Sequence, residues 1–186
     1  MRFPLGFTLL TFTLVPAAFA QQQTFTLNPT TSQVSFQLGG NTHAVHGSFH
    51  VKSGTINFDV STHSISGKII VDPLTGDSGN SSRDQKMKNE VLEASHFSEI
   101  SFEPHSFQGT IAPAGDSTVQ VSGSFNLHGT SHDLTVPMRI HSDGKHLTAE
   151  TTFTVPYVQW GLKDPSIFVL KVAKEVAIEL KLDGQL

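Results

Sequence analysis

The sequence predicts an all-β protein of at least eight antiparallel strands, preceded by a segment that is not part of the fold. Three observations carry this. Apolar and polar residues alternate with period two along most of the chain, which gives each strand one buried face. Short polar links such as Ser142-Asp143-Gly144-Lys145 join the runs, and short links suit antiparallel neighbours. The 186 residues are 37% apolar and 15% charged with no cysteine, which suits one domain with its own core and excludes a disulfide scaffold, a thiolate metal site and a cysteine nucleophile.

Residues 1–20 read MRFPLGFTLLTFTLVPAAFA, with Arg2 ahead of an apolar stretch and an Ala18-Phe19-Ala20 ending. A basic start, a short hydrophobic run and small closing residues predict a secretory signal cleaved after Ala20. Spanning a bilayer takes roughly 20 apolar residues, and Thr8, Thr11, Thr13 and Pro16 interrupt this stretch. No cysteine follows to carry a lipid anchor. Residues 21–186 are then a single exported domain, periplasmic or secreted, whose stability owes nothing to disulfides.

Strands are expected where the alternation is cleanest. Val34, Phe36 and Leu38 form one run, and Val45, Gly47, Phe49 and Val51 the next, with His46, Ser48 and His50 opposite. Ser53-Gly54 reads as a hairpin turn before Ile56, Phe58 and Val60. Ile65, Gly67, Ile69 and Val71 follow, ending at Asp72-Pro73. After Ile100 and Phe102 come residues 119–127, 134–140, 147–155 and 176–182, each alternating. One segment breaks the period: Ser82 and Gln85 fit a capping box, and Met87, Val91 and Ala94 then form the apolar stripe of a short helix. That helix either covers a sheet end or acts as a lid over a barrel opening.

Strands with one apolar face each close into a sandwich or a barrel. Gly47, Gly67 and Gly123 lie in the apolar register, where they either mark bends that close a barrel or leave space inside it. A hollow apolar interior without charge suits a long hydrocarbon. Burying about twenty carbons at roughly 0.8 kcal/mol per CH₂ gains on the order of 15 kcal/mol before association costs.

Other chemistry is weakly signalled. Twelve basic and sixteen acidic residues give a formal charge of −4, with no basic stripe for nucleic acid. His43, His46 and His50 lack the carboxylate or cysteine partners of a metal site and read as polar-face residues. His128 belongs to a turn before Gly129. Ser131-His132-Asp133 are neighbours that alternation points in opposite directions, which makes a poor triad. No nucleophile elbow, phosphate loop or dinucleotide glycine pattern occurs, so neither catalysis nor a cofactor is expected. Tyr157 and Trp160 sit in a Pro/Gly-punctuated connection that reads as a packed corner, the alternative being a rim contact for a ligand's polar head.

Several stretches, in order, resemble one family. They are the Asn28-Pro29 and Ser32-Gln33-Val34-Ser35-Phe36 opening, His46-Gly47-Ser48-Phe49 with Gly54-Thr55-Ile56-Asn57-Phe58-Asp59, Thr75-Gly76 with Arg83-Asp84, Phe97 to Phe102, and Gly123 to Thr130. Together they resemble the YceI family of secreted, lipocalin-like, polyisoprenoid-binding proteins across nearly all of the mature chain. The resemblance implies an extended eight-stranded antiparallel β-barrel with one short helix near its mouth. It also implies a pore for a long-chain isoprenoid of polyprenyl or quinone type, or a similar amphiphilic lipid, carried rather than transformed; such a carrier leaves room for transient membrane contact. The expected ligand contacts are Phe36, Phe49, Phe58, Ile69, Phe102, Phe125, Met138 and Phe153, with Met87 and Val91 at the mouth. The rivals are a filled barrel serving adhesion or interaction through its polar outer face, and an enzyme with a titratable group inside the barrel.

Overall fold

The computed structural model describes residues 22–41 and 43–186. The signal segment expected over residues 1–20 lies outside the described residues. Nine strands form one antiparallel sheet: β1 (Gln23–Leu27), β2 (Gln33–Leu38), β3 (Val45–Asp59), β4 (Ser64–Asp77), β5 (Ile100–Gln108), β6 (Gly115–Leu127), β7 (Thr130–Ser142), β8 (His146–Val155) and β9 (Val176–Gln185). The order β3-β2-β9-β8-β7-β6-β5-β4 closes on itself through the β3–β4 ladder, so the sheet is a barrel with eight strand positions. β1 and β2 share one of those positions. Both pair with β3 and with β9, β1 at one end and β2 at the other. Closure pairs every strand with a neighbour on each side, although the β4–β5 and β7–β8 ladders are short.

The sequence explains most of these elements. The β6–β7 hairpin turns on His128 and Gly129, both at positive φ (52° and 73°), the backbone that two-residue hairpins need. At the β3–β4 turn the Asp59 carboxylate accepts hydrogen bonds from the Ser61 and Thr62 amides and the Ser61 hydroxyl, and the Ser61 hydroxyl leads in holding that carboxyl below its ordinary range.

Three expectations are corrected, and one strand is added. Ser53-Gly54 is no turn, because β3 runs through it and absorbs a register shift between Val51 and Ser53. Gly54 is needed for close approach instead, since a Cβ there would meet a Leu27 methyl at 2.9 Å. Asp72-Pro73 does not end β4. The β4–β5 ladder stops at Val71, so Pro73 interrupts no bond to β5, and the Thr75 hydroxyl bridges the irregularity by accepting from the His50 amide and donating to the Asp72 carbonyl. The helix α1 (Ser81–Lys86) is capped by Asn80, whose side chain accepts from the Arg83 amide, rather than by Ser82, and it continues as a π-helical turn over Met87–Val91. Finally, β1 holds only Phe25 and Leu27 as apolar residues and escaped the pattern.

The barrel is unevenly filled. Around β1, Phe25, Ile56, Phe58, Phe107, Val119, Leu147 and Leu182 pack into a solid core. The half enclosed by β2 and the opposite ends of its neighbours is not filled. Among the described residues, no helix is long and apolar enough to cross a membrane.

Candidate ligand-binding cavity

A cavity of about 540 Å³ occupies the hollow half, within the ~300–1,000 Å³ typical of ligand pockets. Its floor is the top of the filled core, Val34, Ile69, Val136 and Met138. Its walls are the inward side chains of eight strands: Phe36, Phe49, Val71, Phe102, Phe125, Leu134, Phe153 and Ile178 are representative. Its rim is built by Arg83, Met87 and Val91 from the helical segment, and by Tyr157, Leu162, Ile167 and Leu170 from the long connection between β8 and β9.

Of the ten side chains expected to share one lumen, nine line this cavity, and Phe58 does not. Phe58 is 4% exposed in the filled core, paired across strands with Gln23 and Ile65 at the β1 end. It has the right register and the wrong height. Sequence reasoning missed Leu134, Val155, Ile178 and Leu180, although they lie in runs already read as strands, and the loop residues Leu162, Ile167 and Leu170. Four consecutive apolar residues, Ile167 to Leu170, between Ser166 and Lys171 were the available signal for the last two of these.

The inward glycines act differently from a simple vacancy. A Cβ at Gly47 would run into the Phe36 ring and meet the Asp77 carbonyl at 2.5 Å; one at Gly123 would meet the Phe102 ring and the Glu103 carbonyl, both at 2.6 Å. Each glycine leaves room for an aromatic ring that reaches over from the neighbouring strand, so the rings, not the glycines, line the lumen. Gly67 is a bend, at φ 125° with the Thr55 carbonyl against it.

The rim is knitted together. Lys86 Nζ donates to the Pro165 carbonyl at 3.0 Å, and Lys163 Nζ contacts Glu90 Oε2 at 2.6 Å, which ties the helical segment to the β8–β9 connection. Arg83 donates through Nε to the Ser78 hydroxyl and through a terminal nitrogen to the Ser78 carbonyl, both at 2.7 Å. Burial would raise the Asp84 carboxyl, but hydrogen bonds from the Ser78 hydroxyl and amide, with the Lys88 and Arg83 charges, hold it below its ordinary value. Tyr157 spends its hydroxyl on the Ala173 carbonyl at 2.8 Å, and burial, helped by Asp164, pushes its pKa up to about 12. It is neutral at any physiological pH.

The titratable groups that reach the cavity are His43, Arg83, Lys86, Tyr157 and Lys171, none of them in the floor. His46 and His50 are exposed, and no three His, Asp or Glu side chains among the described residues cluster as metal ligands. One titratable residue departs from the apolar inward register. His132 continues the Leu134, Val136, Met138 series, while Ser131 and Asp133 are exposed. Trp160 stacks on its ring at 3.9 Å and 6°, and the buried Nε2 has no hydrogen-bond partner. The β7–β8 ladder covers only residues 139–142 and 147–150. The Trp160–His132 stack, with Phe125 at 5.9 Å from Trp160, therefore joins by side chains what the backbone leaves unjoined.

A closed antiparallel barrel, solid at one end and hollow at the other behind a short helix, is a lipocalin-like architecture. The chain belongs to the YceI-like domain family, whose profile matches residues 25–183. Among solved structures, Burkholderia cenocepacia BcnA superposes with a TM-score of 0.70 at 18% identity, covering 85% of this chain and 99% of that one. A polyisoprenoid binding domain from Saccharophagus degradans, implicated in plant cell wall breakdown, gives 0.71 at 17% identity over 87% and 97%. The Campylobacter jejuni YCEI protein gives 0.57 at 11% identity over 98% and 92%. No curated protein sequence matches the chain.

Proposed function

We propose that this chain is an exported, periplasmic or secreted, carrier for a long-chain isoprenoid of polyprenyl or quinone type, or a similar amphiphilic lipid, and that it neither transforms its ligand nor needs a cofactor. The observation that carries this reading is the hollow half of the barrel, about 540 Å³ with an apolar floor and a rim that holds the charged groups. An apolar chain there is held by burial, worth roughly 0.8 kcal/mol per CH₂, while a polar head stays near the rim. Phe36, Phe49, Ile69, Phe102, Phe125, Met138 and Phe153 are the proposed tail contacts, with Met87 and Val91 near the head. The S. degradans relative, described as polyisoprenoid binding, supports the ligand class. The composition of residues 1–20 supports export. Organic extraction of the purified mature chain followed by mass spectrometry tests the proposal. A branched polyprenyl or quinone lipid near one per chain is expected; an empty extract from protein expressed in a host rich in such lipids would overturn it.

A further inference from the structure

The connection between β8 and β9 carries a turn with two faces. The Ile167 amide donates to the Leu170 carbonyl at 2.9 Å, and Ile167 and Leu170 line the cavity. The two residues between them do not: Phe168 is 96% exposed and Val169 70%. Apart from Leu74, every exposed large apolar side chain among the described residues lies in this one turn. The turn is anchored rather than frayed, because Asn41 bonds the Val169 carbonyl and both the amide and carbonyl of Lys171, and the Ser166 hydroxyl accepts from the Val172 amide.

Charge is distributed to match. The two rim segments, residues 77–92 and 160–176, hold six basic and five acidic residues, whereas the rest of the described chain holds five basic and eleven acidic. Lys171 and Lys174 follow the turn directly in sequence, are exposed, and form no ion pair with a described residue. A projecting apolar tip with cations beside it, on an otherwise acidic molecule, fits a surface that is apolar within and anionic at its face.

We propose that the protein docks rim-down on an anionic phospholipid bilayer, with Phe168 and Val169 inserted at the interface and Lys171 and Lys174 among the headgroups. The cavity mouth then faces the membrane, with Ile167 and Leu170 continuing the apolar path inward. Direct lipid transfer along that path rests on the function proposed above; the docking itself does not.

Flotation of the mature chain with phosphatidylcholine vesicles, with and without phosphatidylglycerol, tests the docking. Binding to the anionic vesicles is expected, weakening as salt rises. F168S/V169S should reduce it by about tenfold or more, and K174Q by about fivefold on anionic vesicles only. Because Phe168 and Val169 touch no core, the double variant should keep the wild-type melting temperature and the wild-type extracted lipid. Absence of vesicle binding at low salt, or undiminished binding by F168S/V169S, would overturn the proposal. So would wild-type self-association, seen by ultracentrifugation and abolished in F168S/V169S without any vesicle binding, which would assign the tip to a second copy. An empty extract with intact vesicle binding would remove the carrier reading and leave the docking standing.

Discussion

Replacing Leu134 and Leu180 by Phe fills the hollow half without adding a polar atom. Both side chains line the cavity and are only partly buried, so the new ring atoms enter open space rather than the packed core. At about 30 Å³ per heavy atom, the share of a water molecule in the liquid, a lumen of about 540 Å³ holds on the order of eighteen heavy atoms. The two substitutions together add about six, roughly a third of that space. Displacing about six buried carbons at roughly 0.8 kcal/mol each removes on the order of 5 kcal/mol of binding, more than three decades in Kd. L134F/L180F should therefore copurify with far less lipid, or with a chain about six carbons shorter. Its melting temperature should match or exceed the wild type, because a filled void adds apolar contacts. The single variants should each give about half the effect. Mass spectrometry of the extracted lipid beside a thermal melt reads both quantities. A folded double variant carrying the wild-type lipid at the wild-type stoichiometry would refute the reasoning.

Three further outcomes follow from the same geometry. G123A should destabilise the fold by about 1–3 kcal/mol in urea unfolding, because its Cβ meets the Phe102 ring and the Glu103 carbonyl at 2.6 Å; a neutral result would mean that the ring does not lie across the strand. F125D should give protein that, where it folds by circular dichroism, carries no lipid at neutral pH, since a carboxylate in the apolar wall must be desolvated to bind a hydrocarbon; full occupancy would remove Phe125 from the site. The Asp84 carboxyl is held below its usual value, so the stability it contributes is complete above its unfolded pKa of 3.8 and is lost as pH falls through the lower folded value. D84N should flatten the acid limb of a stability–pH profile in that window while costing stability at pH 7, and an unchanged acid limb would show that the Ser78 hydrogen bonds do not set it.

Alternation made the in-or-out sense of most strands legible, because a one-residue slip would have turned every apolar side chain to water. It carries no information about height along the barrel. Phe49 and Phe58 both point inward on β3, in phases that the register shift between Val51 and Ser53 separates, yet Phe49 faces the cavity and Phe58 the solid end, a difference set by where β1 lies against residues 55–58. The inward glycines were visible, but what they receive was not: the rings of Phe36 and Phe102 come from neighbouring strands, and only cross-strand register brings them over Gly47 and Gly123. The rim was the least legible part. Residues 156–175 have no period, and their placement depends on side-chain contacts such as Lys163 with Glu90 and Lys86 with the Pro165 carbonyl. His132 showed the opposite limit, an inward register position whose ring is taken up by Trp160 from a loop 28 residues further on.

The account stands on an apolar chain lying inside the hollow half of the barrel. A crystal structure of the mature protein, purified with its copurifying lipid and never exposed to detergent, tests this directly. Continuous density running from Met138 on the floor to Met87 and Val91 at the rim is the predicted result. A lumen holding only discrete water peaks, with the lipid bound on the outer face, would contradict it.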